Sequence, residues 1–159
     1  MSTRPPDRLN VAVFAGDASG DVQSAHLIRA LGRRVPDLTS WGIGGRRLHE
    51  AGCDLIFDTS RSSAIGIVQA SKLIFQGLIV EAGAKRRLAA DPPDVIVGNG
   101  VKAMLVGMPA ARSLKIPSVW VKHDHSFDRI VARPLGRTVT TVVATAAEVG
   151  APTGRTDLV

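Results

Sequence analysis

The sequence predicts one α/β domain of doubly wound type, with a mostly parallel sheet covered by helices on both faces. Short apolar runs rich in β-branched residues recur at strand length, stretches of three- and four-residue apolar spacing separate them, and glycine-rich turns follow several of the runs. At 159 residues with 45% hydrophobic content the chain can bury one ordinary core, since domains of roughly 100–150 residues are the commonest size. The expected organisation is a polar tail over residues 1–8, the domain over 9–145, and a tail or the start of a linker over 146–159.

Leu9 to Ala15 is an apolar run of the kind a strand buried on both faces needs, and Gly16 stops it. Beyond the polar residues up to Asp21, Val22, Ala25, Ile28, Leu31 and Val35 fall at helical spacing, which predicts a helix closed by Pro36. Asp17 or Ser19 can cap its first turn, and Asp21 suits the positive end of its macrodipole. Ser40 to Gly44 predicts a second strand, Arg46 to Ala51 a brief helix stopped by Gly52, and Leu55 to Phe57 a third strand. The stripe Ile67, Ser71, Ile74, Leu78 and Ala82 predicts a helix ending in Lys85, Arg86 and Arg87. Gly77 and Gly83 each cost it roughly 1 kcal/mol relative to alanine, so a kink or break is expected there. Pro92 and Pro93 reset the chain ahead of a buried strand at Val95 to Gly98. Lys102 to Leu114 follows as a helix that Pro109 should kink or split at Met108. Ile116 to Val121 and Thr138 to Ala144 supply the last two strands.

Strands alternating with helices imply right-handed crossovers, and in such sheets the functional loops lie at the carboxyl ends of the strands. That rule selects Gly16 to Asp21, Gly42 to Gly45, Gly98 to Lys102 and His123 to Asp128. In the first loop Gly16, Asp17, Ser19, Gly20 and Asp21 stand where glycines let backbone N–H groups approach a ligand and a helix terminus favours anions. A phosphate or a sugar hydroxyl fits there, and so does a plain tight turn with an N-cap; neither the dinucleotide fingerprint nor the P-loop is matched. Gly44 and Gly45 are candidate acceptor- or phosphate-binding positions, with a βα turn that holds no ligand as the alternative, while Arg46 and Arg47 can pair with phosphate or form a solvated helix face.

His123, Asp124 and His125, with Ser126 and Asp128, form the densest polar cluster. On an extended run the two histidines point one way and Asp124 the other, and further ligands are lacking, so no metal is assigned. A histidine held by a carboxylate can instead act as general base on a sugar hydroxyl, because imidazole ordinarily titrates near neutrality. His123 and Asp124 are the candidate pair, and polar loop residues satisfying backbone groups are the alternative. No nucleophile-elbow spacing accompanies the serines and histidines, which disfavours a hydrolase.

The net charge of +6, from 20 Lys and Arg against 14 Asp and Glu, favours anionic partners. Tyrosine is absent and aromatics make up 4%, so stacking platforms for nucleic acid are poorly supplied and nucleic acid is not an expected partner. Ala64 to Val80 is interrupted by Gln69, Lys72 and Gln76 and falls short of the ~20 apolar residues that cross a bilayer. Met1 to Arg8 lacks the apolar stretch of a secretory signal, and Cys53 is the only cysteine. A cytoplasmic, reducing location is expected.

Taken in order, the loop Ala15 to Asp21, the turn Gly42 to Gly52 and the stretch Ile65 to Gln69 resemble the N-terminal part of lipid-A-disaccharide synthases over about the first half of the chain. The resemblance implies a Rossmann-like domain equivalent to the N-terminal half of a two-domain GT-B glycosyltransferase. It further implies lipid A biosynthesis, hexosyl transfer from a UDP-sugar to an acylated sugar phosphate, and peripheral work at the inner face of the cytoplasmic membrane. No cofactor is implied. The first half handles the acceptor and the second carries most of the UDP-sugar site, so the chain would need a separate or missing donor domain. Three departures stand out. Asp17 replaces the family's glutamate, Gln69 replaces a later one, and Gly100 stands where the family has an aspartate proposed to be catalytic. The family's serine-proline-serine-valine-tryptophan-alanine-tryptophan motif finds no counterpart, and His123 to Glu148 looks more like the end of the first half of other retaining two-domain glycosyltransferases. A non-catalytic module binding a phosphorylated ligand or a protein is the alternative.

Overall fold

The computed structural model of the chain describes residues 6–62, 82–123, 125 and 128–155. Six parallel strands form one sheet: β1 Arg8–Ala15, β2 Asp37–Gly44, β3 Asp54–Asp58, β4 Val95–Asn99, β5 Ser118–Lys122 and β6 Thr141–Ala144, in the order β3-β2-β1-β4-β5-β6. The helices are α1 Ala18–Gly32, α2 Arg46–Glu50, α3 over residues 82–90, α4 Val101–Leu114, α5 Arg133–Thr138 and α6 Ala147–Gly150. This is the doubly wound arrangement expected from the alternation of strands and helices. The expected helix over Ile67 to Ala82 and the Ile65 to Gln69 stretch lie almost wholly outside the described residues.

Alternation along β1 divides the core. Val11 and Val13 pack with Ile28 of α1, Leu48 of α2 and Cys53 on one face. Ala12 and Phe14 pack with Leu88 of α3, Met104 and Met108 of α4, Trp120 and Leu135 of α5 on the other. Two glycines are fixed by close approach: a Cβ on Gly42 would fall 1.8 Å from the Val13 carbonyl oxygen, and one on Gly107 2.7 Å from the Phe14 ring. Among the described residues no helix is long and apolar enough to cross a membrane.

Several elements differ from expectation for identifiable reasons. Val22, assigned to the buried stripe of α1, is 41% exposed, because the first turn of α1 turns Gly20, Asp21 and Ser24 to the interior instead. Pro109 neither splits nor ends α4. Pro109 and Leu105, the pair whose helical hydrogen bond is lost, both sit on the exposed face, where water can take the Leu105 carbonyl. Thr138 closes α5 rather than opening β6, and a single π turn at Asp128–Ala132 precedes α5. Beyond β6, the segment expected as tail or linker folds back as α6 and a 3₁₀ turn at Ala151–Thr153. Thr153 is buried against Gly136, whose added Cβ would lie 2.8 Å away. The Arg155 guanidinium donates to the carbonyls of Gly136, Val139 and Thr140 at 3.2, 2.9 and 3.1 Å.

Candidate functional site

The sheet order reverses between β1 and β4. The chain leaves β1 into α1 on one face and leaves β4 into α4 on the other, so a crevice opens at the carboxyl ends of these two strands. Asp17 caps α1 in extended conformation, its Oδ1 accepting from Gly20 N at 2.7 Å and from Ser19 Oγ at 3.1 Å. Ser19 Oγ also lies 3.5 Å from His123 Nε2 at the end of β5, a long contact. Gly100 adopts φ +84°, and a Cβ placed on it would sit 3.4 Å from His123 Cε1 and 3.8 Å from Asp17 Oδ2. Asp17, Ser19, Gly100 and His123 therefore converge from three loops that are up to about a hundred residues apart in sequence. Gly16 and Gly20 are close-packed there: an added Cβ would meet Lys102 Cβ at 3.2 Å in the first case and Asp17 Oδ1 at 3.2 Å in the second.

Asp21, Gly44, Gly45 and Arg46 are not brought into this cluster. Asp21 is 6% exposed. Its Oδ1 accepts from Gly45 N at 2.7 Å and Leu48 N at 3.1 Å, and its Oδ2 from Arg47 N at 3.0 Å. It thereby caps α2 from the side, an electrostatically favourable seat for a carboxylate. The two glycines make room for it and for its neighbour, since an added Cβ would come within 2.8 Å of Asp21 Oδ2 at Gly45 and within 2.6 Å of Leu48 at Gly44. Arg46, 71% exposed, pairs with Glu50 at 3.2 Å, and Arg47 reaches the same carboxylate at 3.6 Å.

Past β5, Lys122 is 1% exposed and its Nζ lies 2.7 Å from Asp128 Oδ1, while His125 Nδ1 meets Asp128 Oδ2 at 2.9 Å. Burial opposes charge on Asp128, but the hydrogen bonds from Lys122 and His125 outweigh it and hold the carboxyl below its ordinary value. This ion pair ties the strand end that carries His123 to the π turn. Asp124 lies outside the described residues. Among the described residues no three His, Cys, Asp or Glu side chains converge as a metal site.

Sequence reasoning missed Asn99 and Lys122. Asn99, at the end of β4, is buried and its Nδ2 reaches Gly20 O, Gln23 Oε1 and Ser24 Oγ at 3.4, 3.3 and 3.5 Å, bridging β4 to the first turn of α1. A polar residue directly before a glycine at a strand end was the available signal. Nothing in the local pattern marks Lys122 as buried.

A family model described as Lipid-A-disaccharide synthetase matches residues 11–120. The match runs well past the first half of the chain and takes in β4 and the start of β5. The motif without a counterpart in the sequence reading thus has one in Pro117, Ser118, Val119 and Trp120, with Lys122 where the motif ends in tryptophan. The lipid-A-disaccharide synthase of Xanthomonas campestris pv. campestris is 34% identical over 130 residues, covering 76% of this chain and 29% of that protein. The synthase of Myxococcus xanthus is 36% identical over 127 residues, covering 74% and 32%. The chain spans under a third of the length of these relatives. Among solved structures, Acinetobacter baumannii MurG aligns with a TM-score of 0.63 at 18% identity, over 95% of this chain and 44% of that one. The UDP-GlcNAc 2-epimerase of Neisseria meningitidis, bound to UDP-GlcNAc, aligns at 0.59 and 12% identity, over 91% and 42%. At these identities the likeness is one of fold: a Rossmann-like domain that matches a little under half of each larger chain.

Proposed function

This chain belongs to the lipid-A-disaccharide synthetase family, and from that premise we propose that it is the acceptor-side half of a hexosyltransferase that needs a UDP-sugar-binding half to turn over. The carrying observation is the convergence of Ser19, His123 and Asp17 around Gly100, over the N-terminus of a 15-residue helix. The positive end of α1 favours the phosphate of an acylated sugar phosphate. In the transfer step an acceptor hydroxyl oxygen bonds to the anomeric carbon of the donor sugar while the bond from that carbon to the UDP oxygen breaks. The hydroxyl proton passes to His123, and UDP leaves as the anion. Asp17 Oδ2 stands beside Gly100, so it supplies a carboxylate close to where the family's aspartate is missing. A UDP-sugar donor accords with the UDP-GlcNAc in the Neisseria neighbour, and closure of a second half over the crevice would exclude water. The surplus of +6 supports docking at an anionic inner membrane face, worth on the order of 1 kcal/mol per cation at the surface.

Calorimetry of the chain with an acylated glucosamine phosphate, with UDP and with UDP-N-acetylglucosamine tests this reading. The sugar phosphate should bind and UDP should give little heat. Ser19→Ala should weaken the acceptor, and His123→Ala should leave most binding in place yet lower transfer, assayed with a donor half, by roughly 100-fold or more. A flat titration with the sugar phosphate would sink the proposal. The second reading, a binding module without chemistry, is favoured by the glycine at position 100; it expects ligand binding and no transfer with any donor half.

A further inference from the structure

We propose that a groove at the amino-terminal ends of β5 and β6, on the sheet edge opposite the crevice, binds a phosphate ester carrying a small apolar substituent. The groove has a volume of about 270 Å³, and its lining includes the apolar Met108 and Ile116 and the polar Arg112, Lys115, Ser118 and Thr140. Nothing in the proposed sugar transfer uses it, and it stands independently of that reading.

Three observations converge on an anion. Arg112 and Lys115, three residues apart at the end of α4, meet no carboxylate among the described residues, although cations at a helix C-terminus commonly serve its last carbonyls. Here the backbone serves two of them: Lys115 N donates to the carbonyls of Ala111 and Arg112, and Ile116 N donates to Ala111 O at 2.9 Å. Both cationic side chains are left over for another partner.

Lys115 is also the one non-glycine among the described residues with left-handed backbone, φ 56° and ψ 33°. Glycine is the favoured residue at that position, so lysine is kept against a conformational preference, and such outliers gather where a side chain has a task. The third observation is the Ser118 and Thr140 pair. Ser118 N donates to Thr140 Oγ1 at 3.0 Å and Thr140 N to Ser118 Oγ at 3.4 Å. Each hydroxyl is an acceptor in this exchange, and neither spends its own proton among the described residues. A guanidinium, an ammonium and two hydroxyl protons around one hollow, with no carboxylate among them, match the several acceptor oxygens of a phosphate. Met108 and Ile116 in the lining offer an alkyl group apolar contact.

Titration of the 159-residue chain with hexyl phosphate and with inorganic phosphate, together with sedimentation on phosphatidylglycerol vesicles, tests the assignment. Hexyl phosphate should bind saturably and more tightly than inorganic phosphate. Arg112→Gln should weaken it roughly tenfold, the loss of one charge-assisted hydrogen bond. Lys115→Gly should weaken it by a similar factor while raising Tm, because glycine relaxes the left-handed backbone. That opposite movement separates a binding role from a structural one. Flat titrations with both free phosphates would overturn the proposal, including when vesicles bind, since the cations would then serve a membrane-facing surface. Binding that both variants leave intact, or equal affinity for the two phosphates, would overturn it as well.

Discussion

Asp21 spends both carboxylate oxygens on backbone N–H groups of the turn that opens α2. Asp21→Ala would leave three donors without their acceptor and is expected to cost about 3 kcal/mol in urea unfolding, while Asp21→Asn, which keeps one oxygen, should cost about half as much. Asp17, four residues earlier, differs in that its cap is local. A polar residue ahead of an apolar stripe announces an N-cap, so a cap at Asp17 or Ser19 was legible in the sequence, and the structure gives it to Asp17. Asp21 sits in the same loop and reads as a partner of the α1 dipole or of a ligand, because the groups it binds lie 24 to 27 residues away. The convergence of Ser19 with His123, 104 residues apart, was legible only as two separate loops at strand ends, since nothing in either loop fixes the distance between them. Val22 failed for a related reason: spacing marks a stripe, but Asp21 and Asn99 decide which way the first turn of α1 faces.

At the scale of elements, the link from β5 into the π turn depends on one buried ion pair. Lys122→Met leaves the Asp128 carboxylate without its principal partner and is expected to destabilise the domain by about 3 kcal/mol, measured by denaturant unfolding near neutral pH. Because the folded carboxyl lies below its ordinary value, its contribution is in place above the unfolded value of about 4 and is lost as the pH falls through the folded one. The stability gap between the unaltered chain and Asp128→Asn should therefore be in place at about pH 5 and shrink on further acidification. β1 and β4 were legible because a strand buried on both faces is an uninterrupted apolar run. α5 was not, because a six-residue helix that holds a proline and a glycine carries no apolar stripe; the helix tolerates Pro134 in its first turn and needs Gly136 for contact with Thr153.

For the molecule as a whole, alternation of strand and helix made the parallel sheet legible, and right-handed crossovers then restricted its order; the crevice between β1 and β4 follows from that order. The boundary after β6 was not legible, because Ala147 to Thr153 carries too short a pattern to announce a fold. Its contribution is measurable: a chain ending at Thr145 loses the Thr153 contact with Gly136 and the three Arg155 hydrogen bonds, and its unfolding free energy should fall by at least about 2 kcal/mol. The same core carries one thiol. Cys53 is 2% exposed beneath α2, and burial pushes it up to about 11, so it offers a disulfide reagent neither access nor thiolate while the fold is closed. Its labelling rate at about pH 8 then counts openings of the α2 corner. A ligand held only by the form in which this corner is closed should slow that count by the factor 1 + [L]/Kd, which makes its occupancy readable without any enzymatic turnover.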